Sequence, residues 1–252
     1  MKRVLSIFLI LVLAAAPALA DPLALLEDYA ADISEPYDPE DPSAGTFVYS
    51  CHYPHVDEEA AGGMDINQFF TDQLDYELGF TVPMVQDAFE GYDTSTVISY
   101  DVTCNNDDYF SVLLKKEEVN PDWSRTSWTG LVFSRKNGKA GYTYTLPMLL
   151  GILTSADTEE WKTEHQTGKA DEVIRDMVWD MIEENKAGID YNGLTKEVLS
   201  YIFFPEEQFY LDENGDPVFY LQPADVYYDD VPEGTGLLVF PIPLEDILDE
   251  IV

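Results

Sequence analysis

The charge of this chain is the strongest constraint on how it can fold. Its 49 Asp and Glu residues stand against 13 Lys and Arg, which gives a formal net charge of −36 at pH 7. Self-repulsion on this scale opposes a compact state, and a high net charge is typical of disordered chains. Disordered chains are also poor in aromatic residues, whereas this one has 16 Tyr, 13 Phe and 4 Trp. We therefore expect a folded core beneath a strongly acidic surface.

The start of the chain has the three parts of a secretory signal peptide. Lys2 and Arg3 form a basic beginning, residues 4–13 are an apolar run, and Ala18-Leu19-Ala20 matches an A-x-A cleavage site. No later stretch is apolar over the length that a membrane-spanning helix needs. We expect a secreted, extracellular protein. A signal that stays uncleaved and anchors the chain is the alternative.

The acidity also limits the possible partners. A released protein of this charge repels nucleic acids, anionic lipids and other polyanions. It attracts cations and basic proteins instead. We therefore expect no nucleic-acid partner and no membrane span after removal of the signal.

The chain divides into four segments by composition. Residues 1–20 are the signal, and residues 21–45 are an acidic, Pro-rich linker with a short helix over residues 23–33. Residues 46–150 and 151–252 are expected to be an N-terminal and a C-terminal α+β half. Strands are predicted at residues 46–53, 94–104, 109–116, 128–135, 139–145, 208–211, 218–221 and 236–241. Helices are predicted at residues 64–78, 146–153, 169–185, 194–202 and 244–251.

These elements indicate an α+β fold in which antiparallel hairpins pack with a helical block. The turns of the first two hairpins are predicted at residues 105–107 and at Asn137-Gly138, the latter a strong hairpin signal. The first long helix is expected to bury one apolar stripe. Its members are Ile66, Phe69, Phe70, Leu74 and Leu78.

The two cysteines can be placed by strand alternation. Cys51 shares an apolar face with Tyr49, and Cys104 shares one with Ile98. The two strands could belong to one sheet, and export permits oxidation. We therefore predict a Cys51–Cys104 disulfide, with two buried inert thiols as the alternative. No suitably placed His accompanies either residue, so neither is expected to be catalytic.

No metal or cofactor site is predicted. His52 and His55 have an H-x-x-H spacing, but the sequence fixes no third ligand beside them. The segment from Asp212 to Asp216 begins like a calcium loop, but Pro217 occupies the position where such a loop needs glycine. A hairpin turn explains this segment better.

No catalytic motif is present either. The sequence has no G-x-S-x-G elbow, H-E-x-x-H pair, P-loop or glycine-rich dinucleotide turn. Adjacent carboxylates such as Asp107-Asp108 arise from abundance alone. We expect no enzyme activity and assign no catalytic residue, with an unrecognised carboxylate hydrolase as an alternative.

One loop combines aromatic and acidic residues in the way that binding surfaces do. It runs from residues 222 to 236, between two predicted strands. Tyr provides rigid contact area at low entropic cost, and carboxylates can pair with Lys or Arg of a partner. The predicted binding residues are Tyr227, Tyr228, Asp229, Asp230 and Glu233, with Trp128 in addition. In the alternative interpretation, one Tyr packs in the core and the acids are solvated.

Short motifs in both halves resemble one known family. The C-terminal ones are Gln208-Phe209-Tyr210-Leu211, Glu213-Asn214-Gly215, Val218-Phe219-Tyr220-Leu221 and the strand at residues 236–241. The earlier ones are Tyr53-Pro54, Ile66-Asn67, Asn105-Asn106, Gly138-Lys139 and Thr145-Leu146-Pro147. Together they resemble the RsiV-like domain, which forms the extracellular part of the anti-sigma factor RsiV. The same domain occurs outside the catalytic module of PdaC-type peptidoglycan deacetylases.

The resemblance implies an α+β extracytoplasmic binding domain without catalytic activity. In RsiV this domain recognises lysozyme, a strongly basic protein. The expected function is therefore secreted, non-catalytic binding of a basic protein such as lysozyme, which the protein would sequester. A module that binds cell-wall glycan (peptidoglycan) is the alternative, with Trp123 and Trp128 stacking on sugar rings.

Overall fold

The computed structural model describes residues 22–136, 139–152, 160–184, 194–222 and 238–251. The chain folds as an α+β protein of antiparallel hairpins and a helical block, as predicted. The strands are β1 Tyr29–Pro36, β2 Thr46–Tyr53, β3 Thr94–Asn105, β4 Tyr109–Val119, β5 Ser124–Ser134, β6 Phe209–Leu211, β7 Pro217–Leu221 and β8 Leu238–Pro241. The helices are α1 Gly63–Tyr76, a π-helical turn Glu77–Thr81, α2 Val82–Ala88, α3 Leu146–Leu149, α4 Glu160–Glu183, α5 Lys196–Ile202 and α6 Leu244–Ile251, with a 3-10 turn at Pro42–Ala44.

The strands form two sheets. The larger sheet has the order β1-β2-β3-β4-β5, and the smaller has the order β6-β7-β8. All neighbouring strands are antiparallel except β2 and β3, which are parallel with Cys51 opposite Ile98. A parallel pair needs a long crossover connection, and here α1, the π-helical turn and α2 provide it.

The first hydrophobic core lies between the large sheet and the α1–α2 segment. Tyr53 stacks on Phe70 with ring centroids 5.6 Å apart, and Phe70 lies 5.6 Å from the ring of Phe133. The buried amide of Asn67 bonds both backbone groups of Val56, at 2.9 and 2.8 Å. Truncation of a buried Phe typically costs about 3–5 kcal/mol. These contacts therefore fix α1 on the sheet and with it the start of the π-helical turn.

The second hydrophobic core joins α3–α6 to the small sheet. It contains Ile174 and Val178 of α4, Phe219 of β7 and Ile247 of α6, all fully buried. Their spacing on α4 follows the helical period that the sequence predicted. This core positions α6 against α4.

The two sheets meet along β5. A Cβ atom at Gly130 would overlap the carbonyl oxygen of Phe209, so only glycine allows this approach. The Gln222 side chain bonds both backbone groups of Trp128, accepting from its N–H at 3.0 Å and donating to its carbonyl at 2.6 Å. The Tyr220 hydroxyl accepts from the Gly130 N–H at 3.0 Å. Side chains of the small sheet thus satisfy backbone groups at this edge of the large one.

The start of the sheet differs from the sequence prediction. The helix expected over residues 23–33 is wrong, because residues 29–36 form β1, antiparallel to β2. Tyr29 and Ile33 pack against the first core, and the alternate residues Ala30 and Asp32 are exposed. This two-residue alternation is short and interrupted by acids, so it resembles a linker in sequence.

The second predicted hairpin also differs. β5 begins at Ser124, earlier than expected, and pairs with β4 along its whole length. The predicted returning strand at residues 139–145 contributes a single bridge, between Phe133 and Thr143. The predicted turn at Asn137-Gly138 lies outside the described residues.

Candidate functional site

Basic residues are absent from a long part of the sequence. After Arg3, the first Lys or Arg is Lys115, near the middle of β4. Carboxylates of residues 22–114 therefore have no Lys or Arg of their own segment to pair with. A surface of this kind carries a negative potential that the segment itself cannot neutralise.

The second half of the chain carries its own counter-charges. Described ion pairs within it join Lys115 to Glu117, Lys116 to Glu118, Arg125 to Glu118, Arg175 to Asp171 and Lys196 to Asp176, at 2.7–3.5 Å. Lys136 reaches back to Asp108 at 3.6 Å. The described lysines and arginines thus serve mainly acids that follow residue 114.

A row of large apolar side chains projects from the cation-free segment. Tyr76, Phe80 and Met84 are 56%, 55% and 53% exposed, which is unusual for three residues spaced four apart on helical turns. The rings of Tyr76 and Phe80 lie 5.4 Å apart. We call these three residues the Tyr76–Met84 ridge. Contiguous exposed apolar surface of this kind marks interaction sites.

The π-helical turn explains why the ridge is exposed. A π-helix has more residues per turn than an α-helix, so it shifts the phase of every side chain that follows. Leu78, predicted on the buried stripe of the first helix, is 37% exposed, whereas Val82 of α2 is buried. The π-helical turn itself buries no residue. π-Helical turns occur frequently at functional sites.

Carboxylates flank the ridge in the sequence. Asp75 and Glu77 adjoin Tyr76, and Asp87 follows Met84 by three residues. The Tyr49 hydroxyl donates to Glu77 at 3.2 Å, and burial raises the pKa of Tyr49, so the hydroxyl keeps its proton. Glu77 therefore faces the sheet, whereas Asp75 and Asp87 are exposed carboxylates of the same helical segment.

One cation approaches this surface from the sheet. Lys116 lines the same small cavity of about 190 Å³ as Glu77, between α1 and the strands. Its ammonium group pairs with Glu118 at 3.3 Å. Lys116 is thus engaged with an acid of its own strand.

The predicted binding residues are only partly within the described structure. Trp128 is half-buried on β5, with the Lys115 ammonium 5.7 Å from its ring centroid. Tyr227, Tyr228, Asp229, Asp230 and Glu233 lie outside the described residues and remain a prediction. Gln222, the last described residue before these predicted ones, bonds the backbone of Trp128.

The predicted disulfide is wrong, because both cysteines are free and buried in different cores. A β-bulge between Val102 and Cys104 adds Thr103 to β3. The extra residue turns Cys104 to the face opposite that of Cys51. Burial raises the pKa of each thiol to about 11, so both are protonated and unreactive at neutral pH.

His52 and His55 contact different partners. His52 lies between Asp28 and Asp32, at 3.5 and 3.6 Å, whereas the Nδ1 atom of His55 contacts the Glu27 carbonyl at 3.0 Å. Within the described residues, no group of three or more His, Cys, Asp and Glu side chains is arranged to hold a metal ion.

The calcium-like segment is a hairpin turn, as predicted. One Asp212 carboxylate oxygen accepts from the N–H groups of Asn214 and Asp216, at 2.9 and 3.0 Å. Asp216 in turn accepts from the N–H of Leu244, at 3.1 Å. These oxygens therefore shape the turn between β6 and β7 and hold the start of α6.

Two carboxyl groups, those of Asp171 and Glu206, have raised pKa values. Burial raises the pKa of Asp171, and burial together with the nearby Asp171 raises the pKa of Glu206. Arg175 pairs with Asp171 at 3.5 Å. Asp171 and Glu206 are the described carboxyl groups whose pKa values are raised, so a test of the carboxylate-hydrolase alternative would begin with them.

No helix in the described part of the chain is long and apolar enough to cross a membrane.

Comparison with known proteins identifies the fold. No protein-family model and no curated protein matches the sequence. A solved DUF3298 family protein from Pseudomonas aeruginosa is 12% identical, with 92% of this chain and 94% of that chain covered and a TM-score of 0.51. A DUF3298 family member from Bacteroides fragilis is 15% identical over 92% of this chain and 98% of that chain, with a TM-score of 0.48.

The similarity to the Pseudomonas protein shows a shared α+β fold. DUF3298 proteins are domains of unknown function, and this fold is consistent with an RsiV-like or PdaC-like domain. Neither activity nor ligand follows from a likeness at 12% identity.

Proposed function

We propose that this protein is a non-catalytic binding protein for a basic protein partner. The observation that carries the proposal is the Tyr76–Met84 ridge, an exposed apolar row in a segment that contains no Lys or Arg. Apolar anchors provide most of the binding energy of an interface, and a ring of charges provides orientation and specificity. The ridge supplies the apolar anchors, and the segment that carries it supplies the negative charge.

The charges favour a cationic partner over other kinds. Long-range attraction between an acidic surface and a basic protein can raise association rates by about 10- to 1000-fold. A second copy of this chain would be repelled, as would an anionic membrane. The partner that fits is a basic protein with an apolar recess.

A lysozyme is the first partner to test. It is strongly basic, and the RsiV-like motifs of the sequence support the choice. A secreted protein that held lysozyme in a complex would lower the free enzyme concentration near the cell. We propose this sequestering role for the protein.

The test is a calorimetric titration of residues 21–252 with a C-type lysozyme, at low and at high salt. We expect one-to-one binding that weakens with salt but persists, because the apolar contact is not screened. Lysozyme activity on cell walls should fall in parallel. Heat that vanishes at high salt would mean charge attraction alone, and no heat at low salt would contradict the proposal.

The alternative function, peptidoglycan binding, can be tested by a separate measurement. Trp123 is 44% exposed, but the Arg125 guanidinium lies over its ring at 5.4 Å, and Trp128 is half-buried. Sedimentation with purified peptidoglycan at high salt separates the two functions, since stacking on sugars resists screening. Co-sedimentation without lysozyme binding would favour the glycan.

A further inference from the structure

A second acidic surface lies in the other half of the molecule. A cavity of about 550 Å³ opens between α4 and α6. Met177, Met181 and the buried Ile242 contribute its apolar part. We call it the α4–α6 groove.

The two helices run in opposite directions along the groove. The Lys169 ammonium, toward the start of α4, donates to the Ile251 carbonyl at the end of α6, at 2.9 Å. Asp180, near the end of α4, lines the groove together with Pro243, just before α6. α6 spans eight residues, so the groove wall on that side is about 12 Å long.

Both walls of the groove carry carboxylates. Asp180 lies on α4, and Asp246, Asp249 and Glu250 lie on α6. None of the ten described residues that line the groove is basic. The groove thus has an apolar floor between two acidic helices. It suits a ligand that carries Lys or Arg on both of its sides.

Several of these carboxylates are placed at some cost to their own helices. The carbonyl end of a helix carries partial negative charge, so acids in its last turn are unfavourable. Asp249 and Glu250 occupy the last turn of α6, and neither α4 nor α6 has a basic residue in its last turn. Lys169 of α4 supplies one cation at the end of α6, and no described residue that lines the groove supplies another.

We propose that the α4–α6 groove binds a basic amphipathic helix. About two turns of such a helix match the length of α6, with the apolar face against the methionines and Lys or Arg on both flanks against the carboxylates. Unbranched, polarizable Met side chains adapt to different apolar faces. A second copy of this acidic chain is excluded as occupant by charge. The groove is separate from the Tyr76–Met84 ridge, so this proposal stands or falls independently of the proposed function.

The probe is a synthetic 18-residue amphipathic peptide of Leu and Lys, titrated into residues 21–252. The variant replaces Asp180→Asn, Asp249→Asn and Glu250→Gln, and because all three acids are exposed and the new side chains have the same size, the fold should stay intact. Its matched control replaces the exposed acids Glu40, Glu58 and Glu213 by Gln, which removes the same charge elsewhere. A peptide of the same composition with a scrambled order tests the need for an apolar face.

We expect the groove variant to bind the peptide about tenfold more weakly, and the control variant to remain within about twofold of the wild type. Methyl NMR of ¹³C-labelled Met should show shifts at Met177 and Met181, but not at the exposed Met64 and Met84. Equal losses in both variants, equal binding of the scrambled peptide, or shifts at all exposed methionines would overturn the proposal. Absence of binding by the wild type would overturn it as well.

Discussion

The Tyr76–Met84 ridge and the α4–α6 groove are both acidic and partly apolar, but their shapes are opposite. The ridge projects from a helical segment, with three side chains more than half exposed. The groove is a recess between two helices with methionines in it. A projecting surface fits a partner that has a recess, whereas a recess fits a projecting helix. Two surfaces of one acidic protein can therefore bind cationic partners of different shape.

The two surfaces also differ in their electrostatic surroundings. Residues 22–114 contain no Lys or Arg, so the field around the ridge depends on neighbouring segments for any neutralisation. The groove lies in the half that has lysines and arginines, yet its described lining has none. Binding at the ridge should therefore depend more steeply on salt than binding at the groove.

The largest expected effect comes from removing the ridge. Tyr76→Gln, Phe80→Gln and Met84→Gln together should weaken lysozyme binding by at least about thirtyfold, because hot-spot aromatics contribute 2 kcal/mol or more. Gln is a good helix former, so the segment should keep its structure. The matched control is Met64→Gln, Tyr142→Gln and Tyr201→Gln, which removes one Met and two aromatics that are 67–71% exposed. Equal loss in the control would contradict a specific role for the ridge.

A second prediction concerns the contact between the two sheets. Gly130→Ala should lower the free energy of unfolding by about 1–3 kcal/mol, because the added Cβ overlaps the Phe209 carbonyl. Chemical denaturation with two probes, Trp fluorescence and far-UV circular dichroism, measures this loss. Gly168→Ala, in α4 and open to space, is the control and should not destabilise. Unchanged stability of Gly130→Ala would mean that the sheets do not meet as described.

A smaller effect is expected from pH and is confined to the second half. Burial raises the pKa of Asp171 and Glu206, so the folded protein holds these protons more tightly than the unfolded chain does. The protonated pair therefore stabilises the fold at low pH. This contribution is lost as the pH rises through the pKa values of the folded protein, which lie above the usual value near ~4. The melting temperature should therefore fall as the pH rises above the ordinary carboxyl range near ~4. Asp171→Asn with Glu206→Gln should flatten this slope; an unchanged slope would contradict the burial of the pair.

The smallest expected effect is the response of the thiols to oxidation. Cys51 and Cys104 should react with a thiol reagent only after unfolding, because both are buried and have raised pKa values. Oxidant and reductant should leave the mobility of the native protein unchanged. Rapid loss of both thiols on mild oxidation, with an intramolecular crosslink found by mass spectrometry, would contradict the placement of Cys104.

The sequence predicted the regular parts of the fold because local alternation and helical spacing determine them. β2 was predicted with the bounds that the structure has, and the helical period of α4 matches the buried Ile174 and Val178. The sequence did not predict two irregular features. Each inserts an extra residue into the strand or helical repeat, and no residue type marks the position of the insertion. They are the β-bulge at Thr103 and the π-helical turn that exposes Leu78.

The candidate surfaces depended on contacts that sequence does not reveal. The ridge follows from the phase shift at the π-helical turn, and the groove follows from the packing of α6 on α4, whose residues lie far apart in the chain. The charge asymmetry was readable in the sequence, since the first Lys or Arg after Arg3 is Lys115. That signal could have directed attention to the first half of the chain.

The most direct test of the central claim, that the ridge binds a basic protein, is a titration of ¹³C-methyl-Met-labelled protein with unlabelled lysozyme. We expect the Met84 signal to shift and to saturate at one equivalent of lysozyme, whereas the signals of Met177 and Met181 stay unchanged. A saturable shift at Met177 and Met181 with Met84 unchanged would move the lysozyme site to the groove. No shift at any methionine, at a lysozyme concentration that calorimetry shows to saturate, would contradict binding at the ridge.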